Sequence, residues 1–184
     1  MVTIVSLWLP ILLSAVAIYI ASSVIHMALP YHNSDYTSLP NEDQVLDALR
    51  SAGTGNYAAP RAASSAAMRE PAFKEKMARG PVVTLYVKAG GGFDLPGTLA
   101  RWFAYVLLVS ILAAYVSSRT LQAGAEYLTV FRVAGVAVFL AIGGATPINP
   151  IWYGQKWSTC VKSLFDALVY GLLAGGIFGW LWPR

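Results

Sequence analysis

Residues 157–182 read WSTCVKSLFDALVYGLLAGGIFGWLW, and Pro183 follows. Only Lys162 and Asp166 are charged, and both sit in the first half of the stretch. As a helix rising 1.5 Å per residue it would reach roughly 39 Å, more than the roughly 30 Å of a bilayer's hydrocarbon core. The stretch is therefore expected to cross a membrane.

Three further segments have the same character: Val2–Leu29, closed by Pro30; Thr98–Ser118, entered through Arg101 and Trp102; and Glu126–Thr146, stopped by Pro147 and Pro150. Hydrocarbon offers no partners for backbone N–H and C=O groups, so each is expected to be helical. The short alternating strands of a membrane barrel are not seen. The fold expected is an all-α membrane protein of four transmembrane helices: a first helix within 1–29, a polar loop appendage over 30–97, and three more helices within 98–184 (98–118, 126–146 and 157–182).

Composition agrees. Of the residues 57% are hydrophobic and 12% charged, and mean hydropathy is +0.55. Average usage is about 25% charged, so a soluble domain could not be coated. Disorder is excluded by the high hydrophobicity. The net charge of +4 comes from scattered basic residues, which do not form the basic, aromatic-interleaved face that nucleic acid needs. A single cysteine, Cys160, excludes an intrachain disulfide and a cysteine-based metal site within one chain. The apolar N-terminal segment has no basic residue before it and exceeds a signal peptide's apolar core, so it reads as a retained span.

The Pro30–Pro96 stretch holds seven basic and seven acidic residues. A helix is expected from Asn41, with Asn41 as cap, Gln44 at the capping-box position and Gly53 as the stop. Ala58–Ala67, rich in Ala and Ser, reads as mobile. A second helix is expected from Pro71 to Gly80, then a strand or extended arm over Val82–Val87 and a Lys88–Gly92 joint. The appendage is thus mainly helical and too poor in large apolar residues to build its own core.

Lys88, Arg101, Lys156 and Lys162 flank the membrane on the side of this loop, against Arg119 and Arg184 on the other. The positive-inside rule places the long loop in the cytoplasm and both termini outside, in a multi-pass protein of the cell (inner) membrane.

In the fourth span Ser163, Ala167, Gly171, Gly175 and Gly179 recur every fourth residue. Such a small-residue stripe lets another helix backbone approach closely. It serves either internal bundle packing or a seam to a second copy or another membrane subunit. Ala137, Ala141 and Ala145 offer a partner face on the third span, and Ser110, Ala114 and Ser118 on the second.

Two ionisable residues lie inside spans, where such groups are functional suspects. Arg132 falls roughly 8 Å into the third span and Asp166 roughly 8–13 Å into the fourth from the opposite side. The remaining separation, roughly 9–14 Å, puts a direct pair at the limit of an arginine's reach. Otherwise Arg132 snorkels outward toward Glu126, and Asp166 bonds Lys162 or faces a polar cavity. His26, His32 and Asp35 supply two imidazoles and a carboxylate near one membrane edge, a set that suits a metal. There is no nucleophile–base–acid arrangement, so no catalytic residues are assigned.

The stretch from Ser23 through Leu39-Pro40-Asn41-Glu42-Asp43, with Asp166-Ala-Leu-Val-Tyr-Gly-Leu-Leu and Phe178-Gly-Trp-Leu-Trp-Pro183, resembles small uncharacterised bacterial integral membrane proteins. The resemblance covers the two ends of the chain and implies a bacterial membrane location, with no activity or functional residue.

The first expectation is therefore a non-catalytic packing or accessory subunit of a membrane complex or homo-oligomer, with the bilayer as its surroundings and no cofactor. The alternatives are a small oligomeric transporter or channel using Asp166 and Arg132, and a metal- or haem-binding membrane protein using His26 and His32.

Overall fold

The structure is a computed structural model and describes residues 2–184; Met1, which the expected first segment includes, lies outside the described residues. The chain divides into two compact units. One joins the N-terminal stretch ending at Tyr36 to Asp94–Arg184, and the other is Thr37–Phe93.

The first unit contains four helices long and apolar enough to cross a membrane: Val5–Ala28, Leu95–Thr120, Tyr127–Tyr153 and Trp157–Trp180. Within them the regular α segments are α1 (Trp8–Ser23), α4 (Leu95–Thr120), α5 (Tyr127–Gly143), α6 (Ile148–Tyr153) and α7 (Trp157–Trp180). The 95–120 helix begins earlier than the expected Thr98, because the Asp94 carboxylate accepts the Gly97 N–H at 2.9 Å and caps it. Pro147 does not end the third segment outright. It stands just before α6, a short helix that carries Pro150 in its first turn.

The α5–α7 pair meets almost backbone to backbone. A methyl added at Gly171 would lie 2.7 Å from the Gly135 carbonyl oxygen, and one at Gly175 would lie 2.6 Å from that of Phe131. At Gly179 it would strike the Tyr127 ring. The α5 face in this contact is therefore Tyr127, Phe131, Gly135, Phe139 and Gly143, not the expected Ala137, Ala141 and Ala145. Gly135 admits the α7 backbone between the two phenylalanines, and an alanine there would hold it off. Gly143 receives Ala167 in the same way.

Two apolar clusters fill the bundle. Leu7, Ala114, Val130, Ala134 and Phe178 form one, and Ala15, Ile18, Val106, Val109, Val138 and Tyr170 the other. Ser110 is buried and satisfied by donating to the Val106 carbonyl at 2.9 Å. At one end of the bundle the Trp102 indole N–H donates to Ser22 Oγ at 2.7 Å. At the other the Trp182 indole N–H donates to the Gln122 carbonyl at 2.9 Å.

The second unit carries α2 (Glu42–Leu49), β1 (Gly55–Ala59), α3 (Pro71–Arg79) and β2 (Val83–Val87). The strands pair antiparallel from Gly55 opposite Val87 to Ala59 opposite Val83. The appendage thus carries more helix than strand, and its first strand falls partly in the stretch expected to be mobile. Asn41 precedes α2 in a left-handed conformation without a side-chain cap bond. No residue of this unit is buried.

Candidate functional site: a histidine–carboxylate cluster

The first long helix ends unusually. Val24–Ala28 winds as a π turn, with the Leu29 N–H donating back to the Val24 carbonyl at 3.1 Å. Such turns occur mostly as single units and often at functional sites. Leu29 is extended, as the residue before proline prefers. Pro30–Ser34 then form a tight 3-10 turn. This turn lies against the second and third turns of α7, and the compact unit accordingly extends to Tyr36, past the expected boundary at residue 29.

Two side chains of α7, four residues apart and so on one face, hold the turn. The Lys162 ammonium donates three hydrogen bonds: to the Tyr31 carbonyl at 2.5 Å, to Asp35 Oδ1 at 2.7 Å and to Ser34 Oγ at 2.8 Å. That uses every donor a lysine has. Asp166, with its side chain only 5% exposed, accepts the Tyr31 hydroxyl on Oδ1 and faces His32 Nε2 across 2.9 Å with Oδ2. His26 Nε2 lies 3.8 Å from the same Oδ2. The rings of His26 and His32 stack with centroids 4.3 Å apart.

His32 is held from behind. Its Nδ1 lies 2.7 Å from Asp35 Oδ2. With Asp35 ionised, Nδ1–H is the donor and the lone pair of a neutral imidazole is left on Nε2, aimed at Asp166. Asp35 lies outside the long apolar helices, and its carboxyl is held below its ordinary value. Burial pushes it up, but the His32 hydrogen bond and the adjacent Lys162 ammonium outweigh that.

The consequence is chemical. Two acceptor atoms, a neutral Nε2 and a carboxylate oxygen, do not rest 2.9 Å apart without a positive species between them or a proton on one. With both histidines neutral, Lys162 balances one carboxylate and one negative charge remains in excess. His26, His32 and Asp166 offer one donor atom each, all within 4.8 Å of one another. Four-coordinate bonds of about 2.0–2.2 Å place donor atoms roughly 3.3 Å apart, between the 2.9 and 3.8 Å that separate His32 Nε2 and His26 Nε2 from Asp166 Oδ2. A groove of about 260 Å³ between α1 and α4, bordered by Ser23, Met27, Leu99 and Trp102, opens beside His26.

The sequence-derived set of His26, His32 and Asp35 is therefore rearranged. Asp35 stands behind His32, and Asp166 takes the place facing both imidazoles. Asp166 bonds Tyr31 and His32, and the expected bond to Lys162 is not formed. A haem clasped between the two histidines does not fit this arrangement, since both Nε2 atoms point at one carboxylate and not at each other. Arg132 is not part of the site. It follows Phe131, which meets Gly175, nine residues along α7 from Asp166, or roughly 13 Å along the helix axis. Tyr31, Ser34 and Lys162 complete the cluster. The i,i+4 spacing of Lys162 and Asp166 was the available signal for them. One turn deeper on the same face, the buried Tyr170 hydroxyl has no hydrogen-bond partner.

Among protein families, curated proteins and solved structures, nothing matches this chain.

Proposed function

We propose that the chain is a multi-pass membrane protein that binds one divalent transition-metal ion through His26, His32 and Asp166 at the edge of the bilayer. The four long apolar helices support the membrane location. The observation that carries the metal is the convergence of His32 Nε2 and His26 Nε2 on Asp166 Oδ2, with Asp35 fixing the tautomer of His32. A carboxylate behind a ligating histidine is the usual outer-shell support of such sites. Imidazole and carboxylate together suit zinc, iron, nickel or copper over calcium or magnesium. Three protein ligands leave a fourth position open to water or substrate. The lysine and arginine distribution favours the cytoplasmic edge of the cell membrane for the cluster.

The test is zinc binding by the detergent-purified chain, followed by equilibrium dialysis, with cobalt as a spectroscopic substitute. The parent is expected to bind one ion per chain and to give visible cobalt bands. Asp166→Asn and His32→Ala are expected to lose both. A parent that binds no zinc, or variants that bind it equally, would remove the proposal.

A second reading rests on the 2.9 Å His32–Asp166 contact and the unpaired Tyr170 hydroxyl beyond it: a proton held in this chain of groups and passed along an oligomeric pathway. It requires a proton flux in liposomes that Asp166→Asn abolishes. A role as packing or accessory subunit draws no support from the α7 glycines, because α5 occupies them.

A further inference from the structure

Arg132 lies on the outer surface of α5, exposed, within an otherwise apolar helix. Among the described residues it forms neither an ion pair nor a side-chain hydrogen bond, whereas Arg119, near the end of α4, is placed over the Tyr115 ring. Two apolar grooves flank it. One, of about 550 Å³, runs between α4 and α5 beside Leu112, Val116 and Val136. The other, of about 160 Å³, runs between α5 and α7 beside Phe139, Leu168 and Leu172. Arg132 borders both grooves, and each continues from it along α5 toward the middle of the bundle.

We infer that this ridge binds one anionic phospholipid, with the phosphate on the Arg132 guanidinium and one acyl chain in each groove. Charge complementarity selects this occupant. A guanidinium presents a planar fork that matches phosphate oxygens in pairs. Arg132 begins the second turn of α5, roughly 8 Å from the helix start, so its side chain reaches outward to the headgroup level while its stem stays among apolar groups. A second copy meeting this ridge through the same face would bring another unpaired Arg132, not an anion. The inference rests on the membrane location proposed above and not on the metal.

The experiment is native mass spectrometry of the chain in mild detergent, titrated with phosphatidylglycerol or phosphatidylcholine, alongside carbonate extraction of the source membranes. The parent is expected to retain the first phosphatidylglycerol in preference to phosphatidylcholine by about fivefold, the scale of one basic residue at an anionic lipid surface. Arg132→Gln is expected to abolish that preference, and Arg119→Gln to keep it. A membrane-retained parent with no preference, or an Arg132→Gln variant that keeps it, overturns the lipid site alone. Release of the chain by carbonate overturns the membrane location and the lipid site with it. Zinc binding, read separately, is indifferent to Arg132→Gln.

Discussion

The two halves of α7 hold their neighbours by opposite means. Its C-terminal half does so with nothing: Gly171, Gly175 and Gly179 let α5 come within contact of the bare backbone. Its N-terminal half does so with charge, through Lys162 and Asp166 and the turn from Tyr31 to Asp35. The first mode depends on shape and carries no chemistry. The second includes a buried carboxylate, Asp166, that close packing alone would not require. Stability and function are therefore expected to separate along one helix.

Substitutions can break that comparison from either end. The largest effect is expected at Gly175, where leucine must push the Phe131 carbonyl away. Overpacking costs about 1–3 kcal/mol where side chains can adjust; here backbones must part, so Gly175→Leu should yield no folded bundle by size exclusion and thermal melting. If it melts like the parent, α5 and α7 are not packed as described. Next is Lys162→Met. It leaves the Asp35 carboxylate without its cation, and removing one member of a shielded pair costs about 3 kcal/mol. Melting should fall clearly while the α5–α7 contact, read by cross-linking, persists.

Asp35→Asn sharpens the contrast. It keeps the size of the side chain but weakens its hold on the His32 tautomer. Loss of such outer-shell support typically costs 10–100-fold in metal affinity, read as zinc dissociation, and melting at neutral pH should fall as well, because Lys162 loses the charge of its 2.7 Å partner. The smallest effect is acid sensitivity. Asp35 is held below its ordinary value, so its contribution is present above the usual carboxylate range. It is lost as the pH falls through the depressed value in the folded chain. The parent should therefore melt lower in strong acid than at neutrality, and Asp35→Asn should flatten that part of the dependence.

The sequence disclosed the glycine half of α7 more fully than the charged half. A period of four along one helix is a local property, visible without knowing the partner. Its partner face was not: Phe131 and Phe139 alternate with Gly135 and Gly143 at the same period and conceal them. The four long helices were legible because length and apolarity suffice, and their ends less so, since Asp94 caps α4 ahead of the apolar run. The strand at Gly55–Ala59 gave no alternation, being glycine, asparagine, tyrosine and two alanines. In the cluster, His26, His32 and Asp166 each stood out as ionisable groups in or beside apolar surroundings. Which carboxylate faces the imidazoles depends on a tertiary contact more than 130 residues apart in sequence, and proximity in the chain favoured Asp35 instead.

The π turn at Val24–Ala28 makes the spacing between the first long helix and Pro30 a matter of residue count. Wound as ordinary α-helix, the same residues would swing everything downstream by about 100° around the axis. Tyr31 and His32 would then turn away from Asp166. The length of this short segment, as much as its chemistry, keys the histidines to the carboxylate they face.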